Sequence, residues 1–170
     1  AIALFPGGFG THDEGFEILT LAQTGKSAPQ PIVCLQAPGC DYWDDWSAFI
    51  VKQLLKRRLI NEEDLSLFKV VNSAEAAVEE IASFYRRYHS IRFVGRLMAM
   101  RLTSSISAEH LEHIQARFSD LLSEGRFELR TALEEELDEP AIASLPRLVF
   151  PFNRRSAGRL RQLIDYLNRL

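Results

Sequence analysis

AIALFPGGFGTHDE, residues 1–14, is the stretch that decides the architecture. A continuous apolar run over residues 1–5, stopped by Pro6, Gly7 and Gly8, reads as a strand covered on both faces. From Thr11 the period changes. Phe16, Leu19 and Ala22, with Ile18 and Leu21, fall at helical spacing, and Gly25 and Pro29 supply the stop signals. Residues 31–35 form a second buried strand. Trp46, Phe49, Ile50, Leu54 and Leu55 mark a helix over 44–58 that closes on the basic turn Lys56, Arg57, Arg58. A brief strand over 67–71 follows, and then a helix capped by Ser73 with Glu75, Glu79 and Glu80 on its polar side. Strands and helices alternating with short links predict an α/β fold, a Rossmann-like doubly wound parallel sheet.

Beyond Tyr88 the pattern changes. Residues 91–94 and 97–102 are strand-like runs separated by Gly95 and Arg96, which predicts a hairpin, and a hairpin cannot continue a βαβ series. A helix then runs from the cap Ser107 to about Ser123, with Leu111, Ile114, Phe118, Leu121 and Leu122 on one face. A strand over 127–129, an acidic connector over 134–139, a strand over 148–152 and a terminal helix with Leu160, Leu163, Ile164 and Leu167 complete the chain. The expected division is therefore residues 1–88, part of a nucleotide-binding domain, and residues 89–170, a small α+β appendix.

With 46% apolar and 25% charged residues, the chain has the composition of an ordinary globular protein. A net charge of -3, both signs scattered, offers no basic field for a nucleic-acid polymer. Neither an apolar run of membrane-spanning length nor a basic-then-apolar leader is present, which predicts a cytoplasmic protein without a membrane partner. Cys34 and Cys40 form no CxxC motif and suggest neither a disulfide framework nor a metal site. The opening strand has no lead-in, so the chain reads as the C-terminal portion of a longer protein; a parallel sheet lacking its first strands would expose an apolar edge.

The chemistry concentrates at the first turn. Glycines between a buried strand and a helix let backbone N–H groups approach an anion without a Cβ in the way, and the helix dipole favours that anion by roughly 0.3–2 kcal/mol. Gly7, Gly8 and Gly10 have the spacing for this, and Thr11 adds a hydroxyl donor. Glu14 follows three residues after Thr11 and brings a carboxylate to the same crevice. Phosphate site and carboxylate together suit cleavage of an N-glycosidic bond in a nucleotide, where the phosphate is a handle and the acid activates water or stabilises an oxocarbenium-like sugar. Spacing alone leaves a second reading open, because Thr11-x-x-Glu14 is also a capping box.

The run from Pro6 to Glu14 is similar to the PGGxGTxxE signature of the LOG family, the "lysine decarboxylase-like" phosphoribohydrolases, and the likeness extends over about residues 1–85. The resemblance implies that Gly7, Gly8, Gly10 and Thr11 hold the 5′-phosphate of a nucleoside monophosphate and that Glu14 is catalytic. It implies hydrolysis to free base and ribose 5-phosphate, with cytokinin-type or purine nucleotides as substrates, no cofactor, no metal, and a homodimer. The family's preceding glycine-rich loop and catalytic arginine lie upstream of anything in this chain. The rival expectation is a non-catalytic nucleotide-binding or cofactor-carrier protein in which Glu14 only caps the helix. Decarboxylation itself would need a Schiff-base lysine. Lys26, Lys52, Lys56 and Lys69 all fall away from the glycine loop.

Other residues have two readings each. The stretch from Asp41 to Trp46 reads as a capped helix start with its indoles packed on the sheet, or as a surface for a purine base. His12 sits inside the loop, against ligand or solvent. His89, His110 and His113 read as surface histidines, a metal site needing a third ligand. Arg154, Arg155, Arg159 and Arg161 read as a site for phosphate or an acidic partner, or else as a solvated helix face or partners of the acidic connector.

Overall fold

Three parallel strands carry the first half of the chain in a computed structural model that describes residues 1–170: Ile2–Leu4 (β1), Ile32–Leu35 (β2) and Lys69–Val71 (β3), in the order β1-β2-β3. Ile2 pairs with Ile32, Leu4 with Cys34, and Cys34 with Val70. The two-residue period of a strand turns these side chains to one face. There they bury with Trp43, Trp46, Ile50 and Phe68, and with Ile18, Leu19 and Ala22 of the helix Phe9–Gln23 (α1). Val33, fully buried, points the other way, and the helix Ala74–Phe84 (α3) packs against β2 and β3. Burial on both faces explains why IVCL shows no polar alternation.

The connections differ from the sequence reading in two places. α1 begins at Phe9 instead of Thr11, because the Gly8 carbonyl accepts the N–H groups of Thr11 (3.1 Å) and His12 (3.3 Å) and so closes the first turn itself. At its other end Gly25 takes a φ of +66°, and Lys26 N–H bonds Leu21 O (2.9 Å) while Gly25 N–H bonds Ala22 O (3.1 Å), a Schellman stop. The expected helix over 44–58 is instead an α-helix, Tyr42–Phe49 (α2), that widens into a π-helix, Ile50–Leu55. Trp46, Ile50 and Leu54 are spaced by four, which suits either helix, so the pattern did not reveal the change.

By compactness the chain divides into Ala1–Phe84 with Ser156–Gln162, and Tyr85–Arg155 with Leu163–Leu170. In the first unit, residues of the helix Ala157–Leu167 (α5) are tied down individually. Gln162 donates to Ser66 Oγ at 2.9 Å, and Arg161, 3% exposed, donates to Glu80 at 2.6 Å with its guanidinium 4.7 Å from the Phe84 ring centre. A Cβ on Gly158 would collide with the Glu63 carbonyl, which as backbone cannot swing aside. Alanine would gain about 1 kcal/mol of helix propensity, whereas overpacking costs about 1–3 kcal/mol. Gly158→Ala is therefore expected to lower the urea midpoint; an unchanged or raised midpoint would show that the segment yields freely.

The second unit is a four-stranded antiparallel sheet of order β4-β5-β7-β6, built from Tyr88–Val94 (β4), Leu97–Leu102 (β5), Glu128–Arg130 (β6) and Arg147–Phe150 (β7). The hairpin forms at the expected turn, with Gly95 at φ +56°. Ser107 caps the helix Ala108–Phe118 (α4) by accepting the His110 N–H. Ile114, Phe118, Phe127, Phe150, Leu163, Ile164 and Leu167 are almost wholly buried. Asn168 Oδ1 accepts both Arg87 N–H (2.8 Å) and Tyr88 N–H (2.9 Å), anchoring the start of β4.

Within the acidic connector Glu134, Glu135 and Asp138 are exposed, as composition suggests, but Glu136 turns inward. Glu136 is fully buried, with Oε1 accepting from Arg101 Nε at 2.7 Å and Oε2 from Arg147 Nε at 3.2 Å and from the Leu133 N–H at 3.1 Å. Arg101 also reaches Glu139 (2.7 Å), and Arg92 holds Asp138 (2.5 Å) and Glu139 (2.7 Å). Burial alone would raise the Glu136 pKa, but the Leu133 N–H, Arg101 and Arg147 outweigh it and hold it below the usual carboxylate range. Hydrogen bonds from Arg92 and Arg101, respectively, depress Asp138 and Glu139. Depressed carboxylates contribute stability that is complete above their unfolded pKa of about 4 and is lost as pH falls through the folded values. Amide protection factors at β5 and β7, corrected for the intrinsic exchange rate, should therefore fall on acidification below about pH 4, and protection that is flat down to about pH 2 would contradict this account.

Candidate functional site

At the C-terminal end of β1 the chain enters α1 through Pro6, Gly7 and Gly8. The N–H groups of Gly8, Phe9 and Gly10 have no acceptor, while that of Thr11 is already used by Gly8 O. Three unpaired donors at the start of a 15-residue helix make an anion-accepting terminus. A Cβ at position 7 would collide with Thr11 Oγ1 and force the threonine side chain to turn, whereas a Cβ on Gly8 or Gly10 would meet nothing within 4 Å. Gly15 lets α1 approach β1 closely, its would-be Cβ lying 3.3 Å from Leu4 Cδ1.

The capping-box reading of Glu14 does not survive. Gly8 is the cap, Thr11 is the third helical residue with its N–H spent on Gly8 O, and Glu14 makes no hydrogen bond or ion pair. Thr11 and Glu14, three apart, share a helix face, with Cβ atoms about 5–6 Å apart. An exposed, uncommitted carboxylate therefore stands one turn above the free donors.

Beside this turn, at the carboxyl ends of β1, β2 and β3, opens a crevice of about 400 Å³ whose walls include Phe5, Pro6, Pro38, Cys40 and Asn72. Open α/β sheets bind ligands in this position. Its floor is fixed by Gln36, 2% exposed, which accepts the Trp43 N–H (2.7 Å) and donates to Asp44 (2.6 Å) and Asn72 (3.1 Å). The aromatic stretch divides. Trp43 and Trp46 pack in the core, as a helix start on the sheet requires, whereas Tyr42 reaches back to the glycine loop. Its hydroxyl donates to Gly7 O at 2.5 Å and lies 2.9 Å from His12 Nε2, the two rings stacked at 5.8 Å. Sequence reasoning missed Gln36, Asn72 and this role of Tyr42; only the aromatic residue following the β2 loop pointed toward it.

The remaining candidates stay apart. Burial pushes the Cys34 thiol up to about 12, so it packs as a neutral thiol. No three His, Cys, Asp or Glu side chains gather into a metal-sized group, and no helix is long and apolar enough to cross a membrane.

Parallel strands with helices on both faces, a glycine turn with free donors and a crevice at the strand ends define an α/β protein with an anion-accepting loop. Among known families, the one described as "possible lysine decarboxylase" matches residues 1–81. That match supports the resemblance to the LOG family carried by the loop signature. A comparison with curated proteins gives no match.

Proposed function

We propose that this protein hydrolyses the N-glycosidic bond of a nucleoside 5′-monophosphate, releasing free base and ribose 5-phosphate. The observation that carries the reading is the pairing of three unpaired N–H groups at Gly8, Phe9 and Gly10 with the uncommitted carboxylate of Glu14 one helical turn away. In this reading Gly7, Gly8, Gly10 and Thr11 hold the 5′-phosphate, Gly7 by permitting the loop and the others as donors or open approach. The sugar spans the turn between Thr11 and Glu14. Glu14 activates water or stabilises the positive charge that develops at the sugar carbon. The base extends toward the crevice beside Pro38 and Asn72.

The same reading makes residues 1–88 the C-terminal part of a Rossmann-like, doubly wound nucleotide-binding domain and residues 89–170 an appendix, with two copies associating as a cytoplasmic homodimer. The decarboxylase description finds no support in the side chains. Lys69 starts β3 at the end opposite the crevice and bonds Glu80, and Lys26, Lys52 and Lys56 lie at or beyond helix ends or in the π-turn. Chromatographic detection of free base from purine nucleotides, using the longest form of the protein beside its Glu14→Gln variant, tests the proposal. Nucleotide binding without base release in the wild type would replace it with a carrier function.

A further inference from the structure

Gly7 and Gly8 are joined by a peptide whose two flanking residues both lack a Cβ, so no side chain of its own resists its rotation. Its carbonyl and the Gly8 N–H belong to one planar trans unit and point in opposite directions. A flip would therefore replace a donor by a carbonyl oxygen, which repels an anion. One contact opposes the flip: the Tyr42 hydroxyl donates to Gly7 O at 2.5 Å, from 35 residues along the chain. Tyr42 has a single hydroxyl proton, and Gly7 O takes it. His12 Nε2, 2.9 Å from the same oxygen, must then carry a hydrogen and donate to it. The hydrogen bonds thus run in one direction, His12 to Tyr42 to Gly7, and each donor polarises the next.

Tyr42 is itself held. It opens α2 beside Trp43, whose N–H bonds the buried Gln36 side chain at 2.7 Å and whose indole donates to Leu35 O at 3.2 Å. The loop's conformation is in this way referred back to β2, the most deeply buried strand of the sheet.

We propose that Tyr42, backed by His12, is a positioning residue that locks the Gly7–Gly8 peptide with its N–H turned to receive a phosphate. This rests on the phosphate-loop reading above, and deepens it by naming what keeps the loop in its anion-accepting form. Because the lock acts on binding of the phosphate and not on Glu14, its loss raises KM more than it lowers kcat.

The test compares wild type, Tyr42→Phe, His12→Gln and His12→Phe in the longest form of the protein. Inorganic phosphate is titrated calorimetrically, and KM and kcat are measured with a purine nucleoside monophosphate. Tyr42→Phe is expected to weaken phosphate binding and raise KM about tenfold, the scale of one lost hydrogen bond in a polar site, with kcat changed less. His12→Gln, which keeps an N–H donor near the Nε2 position, should stay close to wild type, and His12→Phe should move toward Tyr42→Phe. Unchanged phosphate affinity in Tyr42→Phe, with wild type binding normally, overturns the lock and leaves the proposed function standing. A wild type that binds neither phosphate nor nucleotide overturns the phosphate-loop reading, and the lock with it.

Discussion

Replacing Glu14 by glutamine is expected to slow free-base release by about 10²–10⁴-fold, the range over which a positioned proton-transfer group contributes to rate. The amide matches the carboxylate in size but neither takes a proton from water nor offers negative charge to a developing oxocarbenium ion. Stability should not change, because Glu14 is exposed and bonded to nothing, and α1 takes its cap from Gly8. Measured together, an unchanged thermal midpoint and a collapsed kcat would separate catalysis from folding. Base release at the wild-type rate in Glu14→Gln would end the catalytic assignment. A lowered midpoint would mean that the carboxylate supports the helix after all.

Glu136→Ala should be the most destabilising single change in the second unit, by about 3–5 kcal/mol, the cost of leaving buried charge uncompensated. Arg147 is completely buried and Arg101 is 4% exposed, and both direct guanidinium N–H groups at Glu136. Arg147 retains the Ile142 and Leu145 carbonyls, and Arg101 retains Glu139, but no other anion approaches Arg147. Leu133 loses an acceptor as well. Urea unfolding followed by circular dichroism measures the loss. Replacing all three charged residues by apolar ones of similar volume should recover much of it, since the triad is costly to break and not intrinsically favourable. A loss below about 1 kcal/mol, typical of an exposed pair, would show that water reaches the site.

Both predictions turn on residues that the sequence shows as carboxylates and nothing more. Glu14 was singled out because it follows a glycine turn at a fixed spacing, which is local information. Yet the same spacing suited a capping box, and the choice rested on whether the first turn closes on Gly8 or on Thr11. Glu136 lies in a run of acidic residues whose composition points to solvent. Its partners come from β5 and β7, 35 and 11 residues away, and no local pattern carries such a pairing.

The sequence by itself determined what depends on neighbours along the chain. The apolar runs, the changes from period two to period 3.6, the caps at Ser73 and Ser107, the turn at Gly95 and the loop signature from Pro6 to Glu14 are all local, because backbone geometry and hydrogen-bond closure act over a few residues. The tertiary structure decided what depends on residues brought together from afar: the Tyr42 hydroxyl on Gly7, Gln36 bridging three segments, Arg161 buried against Glu80, and the charges around Glu136. These contacts are directional and short-ranged, so each needs donor and acceptor within about 3 Å, a proximity that only the packed strands and helices create.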